Sequence, residues 1–171
     1  MIIIDPAANI SAHAIIEDSK KGTEIRIGGG GYIDVFVLIR PVGGIGDIRI
    51  GERCYINCGT VIYSGNGITL GNDVLIGPNC TLSGSNHEYR KSYETVYDQR
   101  FAPSKGGIII EDDVWIGSNC SILDGAILRK GAIIGANSLV NKEVPPNAIC
   151  YGSPAKVVGF RQGDEEAAKY V

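Results

Sequence analysis

The chain has few aromatic residues, few histidines and no excess of positive charge. Of its 171 residues, 7% are aromatic, one is tryptophan and two are histidine, and the formal net charge at pH 7 is −3. Proteins that bind nucleic acids generally carry a basic face. The composition therefore argues against a general nucleic-acid-binding protein, while local positive charge at a ligand site remains compatible with it.

Long apolar runs are absent as well. No stretch approaches the ~20 residues that a membrane-spanning helix needs. The apolar opening, Met1 to Ile4, is ended by Asp5-Pro6, which predicts no signal peptide. We therefore expect no membrane span and a cytoplasmic location.

The cysteines form no recognisable redox or metal pattern. There are five of them, an odd number, without a Cys-x-x-Cys pair. Cys54, Cys80 and Cys120 take the small-residue position of the repeat described next. This placement favours buried packing residues over a redox or zinc set, and reduced thiols agree with a cytoplasmic setting.

The sequence does contain an aliphatic residue at every sixth position over most of its length. A helix repeats its apolar face every 3.6 residues and a strand every 2, so neither explains this period. A coil in which each flat face takes one hexad does, and three hexads then make one triangular turn of a β-helix. The clear registers are Ile50, Ile56, Ile62; Leu70, Ile76, Leu82; and Ile110, Ile116, Ile122, Leu128, Ile134, Val140, with weaker copies at Ile4, Ile10, Ile16 and at Ile27, Ile33, Ile39, Ile45.

Each hexad has further structure. Glycine often follows the aliphatic residue, as at Gly51 and Gly77, which suggests a corner whose backbone conformation disfavours side chains. A small residue often stands four positions after the aliphatic one, so a large and a small residue should alternate in the interior. The register changes near residues 17–26, 46–49 and 63–69, where we expect turns or small bulges.

The repeat stops after Leu82 and resumes at Ile108. A loop of this length inside a compact domain is usually functional or disordered. Its aromatic and charged residues predict an ordered arm, about residues 84–107, that packs on a ligand or on a neighbouring subunit. His87 lies at the root of the arm, where an anchored histidine would serve as a general base; taken alone, a loop histidine bonded to a backbone carbonyl is the more common case.

The segments that flank and follow the arm carry a family resemblance. They read Gly107-Ile-Ile-Ile-Glu-Asp-Asp-Val-Trp115-Ile-Gly-Ser-Asn-Cys120 and Val144-Pro-Pro-Asn-Ala-Ile-Cys-Tyr-Gly-Ser-Pro-Ala-Lys156. Together with the hexads and the histidine-bearing arm, they resemble the hexapeptide-repeat acyltransferases, in particular the galactoside, maltose and polysaccharide-modifying O-acetyltransferases. The resemblance covers about residues 48–160.

The resemblance implies an all-β fold, a left-handed parallel β-helix, and a homotrimer with active sites between subunits. It also implies acetyl-coenzyme A as co-substrate, no required metal, and direct transfer of the acetyl group to a hydroxyl of a saccharide or polysaccharide precursor. His87 matches the catalytic base, and the backbone N–H of Ser118 matches the group that faces the thioester. Asn57 and Asn86 are expected at the acceptor. The expected coenzyme-binding residues are Trp115, Ser118, Ala136, Asn141, Lys142, Lys156 and Arg161.

Several of these residues have an equally plain structural reading. Asn57 stands where other hexads have glycine, so it either contacts the sugar or adopts a left-handed corner conformation. Trp115 either contacts the coenzyme or packs at the subunit seam. Lys142 and Lys156 either bind phosphates or are ordinary solvated charges.

Three other functions compete with O-acetylation. One is N-acetylation of an amino sugar or antibiotic, and another is a non-catalytic β-helix that serves binding or assembly. The third is a γ-type carbonic anhydrase, which shares the coil and the trimer but needs three imidazoles for its zinc. The chain has only His13 and His87, which speaks against it.

The expected organisation is one β-helix domain, residues 1–160, which includes the arm. A short C-terminal tail, residues 161–171, follows as a helix or a frayed end. The first 45 residues match the family only as coil, whereas the maltose and galactoside enzymes begin with a helical segment. The acceptor pocket should therefore differ from theirs.

Overall fold

A computed structural model describes residues 1–163 of the chain. The last strand described is Ala155–Phe160, and the domain boundary at residue 160 stays a prediction. Most of the predicted tail, residues 164–171, lies outside the described residues.

The described residues form stacked triangular coils of short strands. The hexad explains their length, because only two or three residues of each six are free to lie flat between corners. Six complete coils comprise β1 (Ile2–Ile4), β2 (Asn9–Ile10), β3 (Ile15–Ile16); β4 (Ile25–Ile27), β5 (Tyr32–Ile33), β6 (Leu38–Arg40); β7 (Gly46–Ile50), β8 (Tyr55–Ile56), β9 (Val61–Tyr63); β10 (Asn66–Leu70), β11 (Leu75–Ile76), β12 (Thr81–Ser83); β13 (Ile108–Ile110), β14 (Trp115–Ile116), β15 (Ser121–Leu123); and β16 (Ile127–Leu128), β17 (Ile133–Ile134), β18 (Leu139–Val140). A partial coil follows with β19 (Glu143–Val144), β20 (Ala148–Gly152) and β21 (Ala155–Phe160), and the arm contains one helical turn, α1 (Val96–Gln99).

Every third strand joins the same parallel sheet, so the coil has three faces. Sheet A follows the order β1-β4-β7-β10-β13-β16-β19, sheet B the order β2-β5-β8-β11-β14-β17-β20-β21, and sheet C the order β18-β15-β12-β9-β6-β3. The one antiparallel pair within these three sheets joins β20 and β21 at the C-terminal end. The predicted left-handed parallel β-helix is confirmed.

The hexad aliphatic residues stack inside the coil to form one continuous core. Ile56, Ile76, Ile116 and Ile134 pair in register through sheet B, and each is at most 1% exposed. The predicted alternation with small residues also holds, since Cys54, Cys80, Cys120, Ala126, Ala132 and Ser138 are all buried. The three cysteines therefore have the packing role predicted for them, and burial raises the pKa of the Cys54 thiol.

The reason given for the corner glycines is wrong. Gly51 and Gly77 do not have positive φ; the left-handed residues at these corners are Arg53 and Asn79, two positions later, with φ of 53° and 57°. A Cβ at Gly51 would instead lie 2.3 Å from the carbonyl oxygen of Gly71 in the next coil. Glycine is required because successive coils approach closely.

Two of the predicted register changes also need correction. Residues 46–49 and most of 63–69 are strand, because β7 and β10 begin earlier than the hexads indicate. The extra residues form a turn before β7, and this turn exposes 86% of Ile45, which the weaker repeat had placed inside. The first predicted change, after Ile16, is a turn as expected.

All three faces meet at edges, which we name by the sheets that they join. At the A/B and B/C edges the chain turns tightly between hexads, whereas every long connection lies at the C/A edge. These connections are residues 17–24, 41–45 and the arm, residues 84–107. Within residues 1–163, no helix has the length and apolarity to cross a membrane.

Candidate active site

The arm is an ordered hairpin that leaves the C/A edge after β12. Its outgoing and returning limbs meet at an antiparallel bridge between His87 and Phe101. The N–H of Glu88 donates to the Arg100 carbonyl at 3.0 Å, and the N–H of Ala102 donates to the Asn86 carbonyl at 2.9 Å. The prediction of an ordered arm at residues 84–107 therefore agrees with the structure.

Asp124 fastens the returning limb to the coil. This side chain is only 5% exposed, at the start of the turn between β15 and β16. Its two carboxylate oxygens accept hydrogen bonds from the backbone N–H groups of Lys105 and Gly107, each at 2.9 Å. A buried carboxylate therefore fixes the point where the arm rejoins the repeat.

The bridge also fixes the imidazole of His87. Its Nδ1 lies 3.1 Å from the carbonyl oxygen of Arg100, and its ring stacks on Phe101 with centroids 4.9 Å apart. Because a carbonyl can only accept, Nδ1 carries a proton, and in the neutral ring Nε2 then has the lone pair. This bond to a backbone carbonyl is also the one that the alternative, structural reading of His87 predicts. Nε2 is the nitrogen able to take a proton from a substrate.

The neighbouring acid, Glu88, is hydrogen-bonded to the backbone of the arm and not to His87. Its carboxylate accepts hydrogen bonds from the N–H groups of Tyr89 and Arg90. The bonds from Arg90 and Tyr89 hold the pKa of the Glu88 carboxyl below its ordinary value. A backbone carbonyl is therefore the group that orients His87.

Trp115, Ser118 and Ala136 lie along sheet B and the B/C edge. Trp115 points outward from β14 and is 51% exposed. Ser118 follows at the corner, where a Cβ added to Gly77 in the coil below would approach its nitrogen to 2.7 Å. Ala136 occupies the equivalent corner one coil above Ser118, because a Cβ on Gly117 would meet its nitrogen at 2.6 Å.

The Ser118 N–H makes no hydrogen bond to the described coil. No acceptor for it occurs within residues 1–163. One coil below, the same corner position holds Pro78, which has no N–H, and Asn79 and Asn119 follow the two positions with nearly equal φ of 57° and 58°. The corner backbone therefore does not need this N–H, which is left free to bind a ligand.

Three of the other predicted coenzyme residues share one cavity. Asn141, Lys142 and Lys156 line a space of about 270 Å³ at the C-terminal end of the coil. Arg161 lies elsewhere, at the A/B edge, where its Nη1 pairs with Asp113 at 2.6 Å. The structure brings together the first three and leaves Arg161 apart.

The two predicted acceptor residues occupy different edges. The side-chain amide of Asn57, at the B/C edge, donates to the carbonyl of Ile76 in the next coil at 2.6 Å. The positive φ of that corner belongs to Gly59, at 70°, so the left-handed reading of Asn57 is wrong. Asn86 lies in the arm and lines a cavity of about 290 Å³ with Ser83, Lys105 and Asn141.

His87 and Ser118 of one chain lie on opposite edges of sheet C. Ser118 begins this face at the B/C edge, and Asp124 ends it at the C/A edge, where the arm is fastened. Six residues of extended chain span roughly 20 Å. The two groups of one chain therefore do not meet in a single reaction centre.

The sequence did not reveal Arg100, Phe101 or Asp124 as parts of the site. Arg100 acts through its carbonyl, which every residue has, so its type carries no signal. Asp124 gave a weak sequence signal, because it is an acidic residue just after a hexad strand. Within the described part of the chain, no group of three or more His, Cys, Asp or Glu side chains is arranged to hold a metal ion.

Comparison with known proteins defines the family. The bacterial transferase hexapeptide (six repeats) family matches residues 107–142. A putative acetyltransferase of Saccharomyces cerevisiae is 30% identical over 146 residues, which are 83% of this chain and 71% of the relative. The galactoside O-acetyltransferase of Escherichia coli is 35% identical over 112 residues, which are 66% of this chain and 53% of the enzyme. The chain belongs to the hexapeptide-repeat acyltransferase family.

Solved structures share the fold. A point mutant of AntD, an N-acyltransferase from Bacillus cereus in complex with dTDP-4-amino-4,6-dideoxyglucose and coenzyme A, matches with a TM-score of 0.78 at 22% identity. The match covers 94% of this chain and 84% of AntD. The chain spans about half the length of the first curated relatives that it matches.

Proposed function

We propose that the protein is an acetyl-coenzyme A-dependent O-acetyltransferase that acts on a sugar hydroxyl. The observation that carries the proposal is the hydrogen bond from His87 Nδ1 to the Arg100 carbonyl, which leaves Nε2 as a base at an exposed site. The galactoside O-acetyltransferases among the relatives support a saccharide acceptor. A precursor of a surface polysaccharide is the class of acceptor that we favour, and a putative lipopolysaccharide O-acetyl transferase is a further relative.

His87 moves the proton in this reaction. Its Nε2 takes the proton of the acceptor hydroxyl as the oxygen attacks the thioester carbon. The carbon–sulfur bond breaks, and His87 returns the proton to the thiolate that leaves. No side-chain nucleophile is needed, because the acetyl group passes directly to the acceptor.

The B/C edge fits the coenzyme. When bound, acetyl-coenzyme A supplies the activated acetyl group. The Ser118 N–H, which has no acceptor within residues 1–163, would donate to the carbonyl oxygen as charge develops on it. Trp115 and Ala136 lie along the same track. Lys142 follows β18 at the C/A edge, and together with Lys156 it lines the cavity at the C-terminal end of the coil, where both offer cations for phosphates.

The reaction centre should lie between two copies of the chain. A general base must come within about 3 Å of the proton that it removes, yet His87 and Ser118 of one chain are separated by the width of sheet C. In a closed ring, the C/A edge of one copy can face the B/C edge of the next. A homotrimer suits a three-sided coil, and it would cover the arm residues Tyr93 and Tyr97, which are 85% and 74% exposed.

An amine acceptor is the second candidate. A 56-residue segment is 50% identical to a tetrahydropyridine-dicarboxylate N-acetyltransferase of Staphylococcus aureus. The position of Nε2 in a neutral histidine allows it to accept a proton from an amine as well as from a hydroxyl. The acceptor groups near His87 therefore decide between the two reactions.

The test is an assay of thiol release from acetyl-coenzyme A with matched pairs of acceptors. Each pair consists of a hexose and the corresponding amino sugar, and the acetylated position is determined by mass spectrometry and NMR. O-acetylation of the hexoses is expected, whereas faster N-acetylation of the amino sugars would select the second candidate. Calorimetry that finds no saturable coenzyme A binding would instead support a non-catalytic coil.

A further inference from the structure

The irregular connections of the N-terminal coils form a groove beside the arm. Residues 17–24 and 41–45 lie on the C/A edge below the arm. The turn at Val42 to Gly44 lines two cavities, one of about 350 Å³ with Arg40 and Tyr63, and one of about 90 Å³ with Phe101. Because Phe101 stacks on His87, the groove begins next to the base.

The far end of the groove is positively charged. Lys20, Lys21 and Arg40 all line the larger cavity. Glu17 pairs with Arg40 through two hydrogen bonds, and Asp18 pairs with the amino group of Met1 at 2.9 Å. Glu17 and Asp18 line the same cavity, but neither lysine forms an ion pair with a carboxylate in the described part of the chain.

Two of the three cations, Lys21 and Arg40, are held by the scaffold. The Lys21 ammonium donates to the carbonyl of Gly43, which ties the first connection to the second. Of the five N–H groups of Arg40, two donate to Glu17, and Tyr63 is also hydrogen-bonded to this guanidinium. Both groups therefore retain N–H donors for an anion.

The groove length fits a sugar with an attached phosphate. It runs from the fourth coil, which carries His87, to the first, which carries Lys20. Three strand spacings amount to about 14 Å. The cavity of Lys142 and Lys156 lies at the other end of the coil, so one coenzyme molecule bound along the B/C edge does not account for this charge.

We infer that the groove binds the phosphate or diphosphate of a phosphorylated sugar acceptor at Lys20, Lys21 and Arg40 while the sugar hydroxyl reaches a base beside Phe101. This inference rests on the proposed function and names its substrate class. A sugar 1-phosphate and a nucleotide-linked sugar present the same anionic chemistry. The reaction that supplies the acceptor is then a sugar-phosphate or nucleotidyl transfer.

The direct test is calorimetric titration of the full chain with inorganic pyrophosphate in the presence of saturating coenzyme A. The Lys20→Gln/Lys21→Gln variant should bind pyrophosphate at least about tenfold more weakly, because two charged contacts are lost. The control Arg26→Gln/Lys130→Gln removes two positive charges outside the groove and should bind as the wild type does. Absence of wild-type binding or equal weakening in the control would each overturn the inference.

Acceptor kinetics then distinguish the sources of the phosphate. The KM of a hexose 1-phosphate or of a nucleotide-linked hexose should be at least about tenfold below that of the free hexose, and the lower of the two identifies the source. Equal KM values for all three would contradict the inference and leave the proposed function intact. Pyrophosphate binding without acetyl transfer to any acceptor would sink the proposed function while the anion site stands.

Discussion

At the scale of single residues, the proposed chemistry depends on two backbone groups, one that orients a side chain and one that acts as a hydrogen-bond donor itself. The Arg100 carbonyl selects the tautomer of His87, and the Ser118 N–H is the donor proposed for the thioester oxygen. Neither group depends on the identity of its side chain. Substitutions that act on the backbone are therefore the informative ones.

Removal of the base should abolish most turnover without loss of the fold. His87→Ala is expected to lower kcat by about 10²–10⁴-fold, the usual contribution of a general base. The KM for acetyl-coenzyme A should change little, since the coenzyme lies along the B/C edge. His13→Ala removes the other histidine, which contacts Phe36 in the N-terminal coils, and should retain activity. Full turnover of His87→Ala on the best acceptor would refute this role.

The Ser118 N–H can be deleted with a residue that the same corner already tolerates. Pro78 occupies the equivalent position one coil below, so Ser118→Pro should fold normally. The loss of one preorganised donor is expected to lower kcat by about 10²–10³-fold. Ser118→Ala keeps the N–H and is the matched control, which should remain active. Similar kcat values for Ser118→Pro and Ser118→Ala would exclude the N–H from catalysis.

At the scale of elements, the arm can hold His87 in a fixed position because both ends of the arm are anchored. The bridge between His87 and Phe101 closes its root, and the buried carboxylate of Asp124 holds Lys105 and Gly107. Between these anchors, the tip has exposed aromatic residues and one helical turn. Rigidity is thus concentrated where the base lies.

Loss of the Asp124 carboxylate should loosen the arm. Each buried hydrogen bond to a charged group is worth about 1.5–3 kcal/mol, so Asp124→Ala should speed hydrogen exchange at Lys105 and Gly107 and lower kcat. Asp112→Ala removes a carboxylate that accepts one more exposed bond, from the N–H of Asn72 at 2.7 Å, on the A/B edge away from the arm. That control should lose stability without the same loss of kcat. Unchanged hydrogen exchange at Lys105 and Gly107 in Asp124→Ala would show that the Asp124 carboxylate is not needed to hold the arm.

The sequence predicts regular elements well and irregular ones less well, for a physical reason. The hexad repeats the same packing at Ile56, Ile76 and Ile116, so the coil can be inferred from spacing alone. Ile45 keeps the spacing but not the packing, because an inserted turn shifts the next strand by several residues. His87 was predicted from a resemblance, whereas Asp124 and the Arg100 carbonyl emerge only when the arm folds back on the coil.

At the scale of the whole molecule, stability is a stack of equivalent layers. Each coil buries its aliphatic residues against the coils above and below, as expected of a repeat protein whose units contact their neighbours. Ile116 is 0% exposed in the fifth of the six complete coils, whereas Ile45 is 86% exposed. The two residues provide a direct comparison of the same side chain in and out of the core.

Truncation of these two isoleucines should have very different effects. Ile116→Ala is expected to lower the free energy of unfolding by about 2–5 kcal/mol, because it leaves a cavity inside the coil. Ile45→Ala should leave it nearly unchanged. Chemical denaturation of both variants measures the difference. Equal losses would mean that the turn at residues 41–45 packs against a surface in the folded protein.

The separation of His87 and Ser118 across sheet C leads to the central claim, that each reaction centre combines two chains. The measurement that tests it most directly is the activity of a one-to-one mixture of His87→Ala and Ser118→Pro chains, denatured together and refolded. Each variant is inactive alone in this account, but random assembly should restore about a quarter of wild-type activity, since half of the bases face half of the intact N–H groups. Activity no greater than that of the separate variants, in a mixture shown to have formed mixed oligomers, would contradict a site shared between chains.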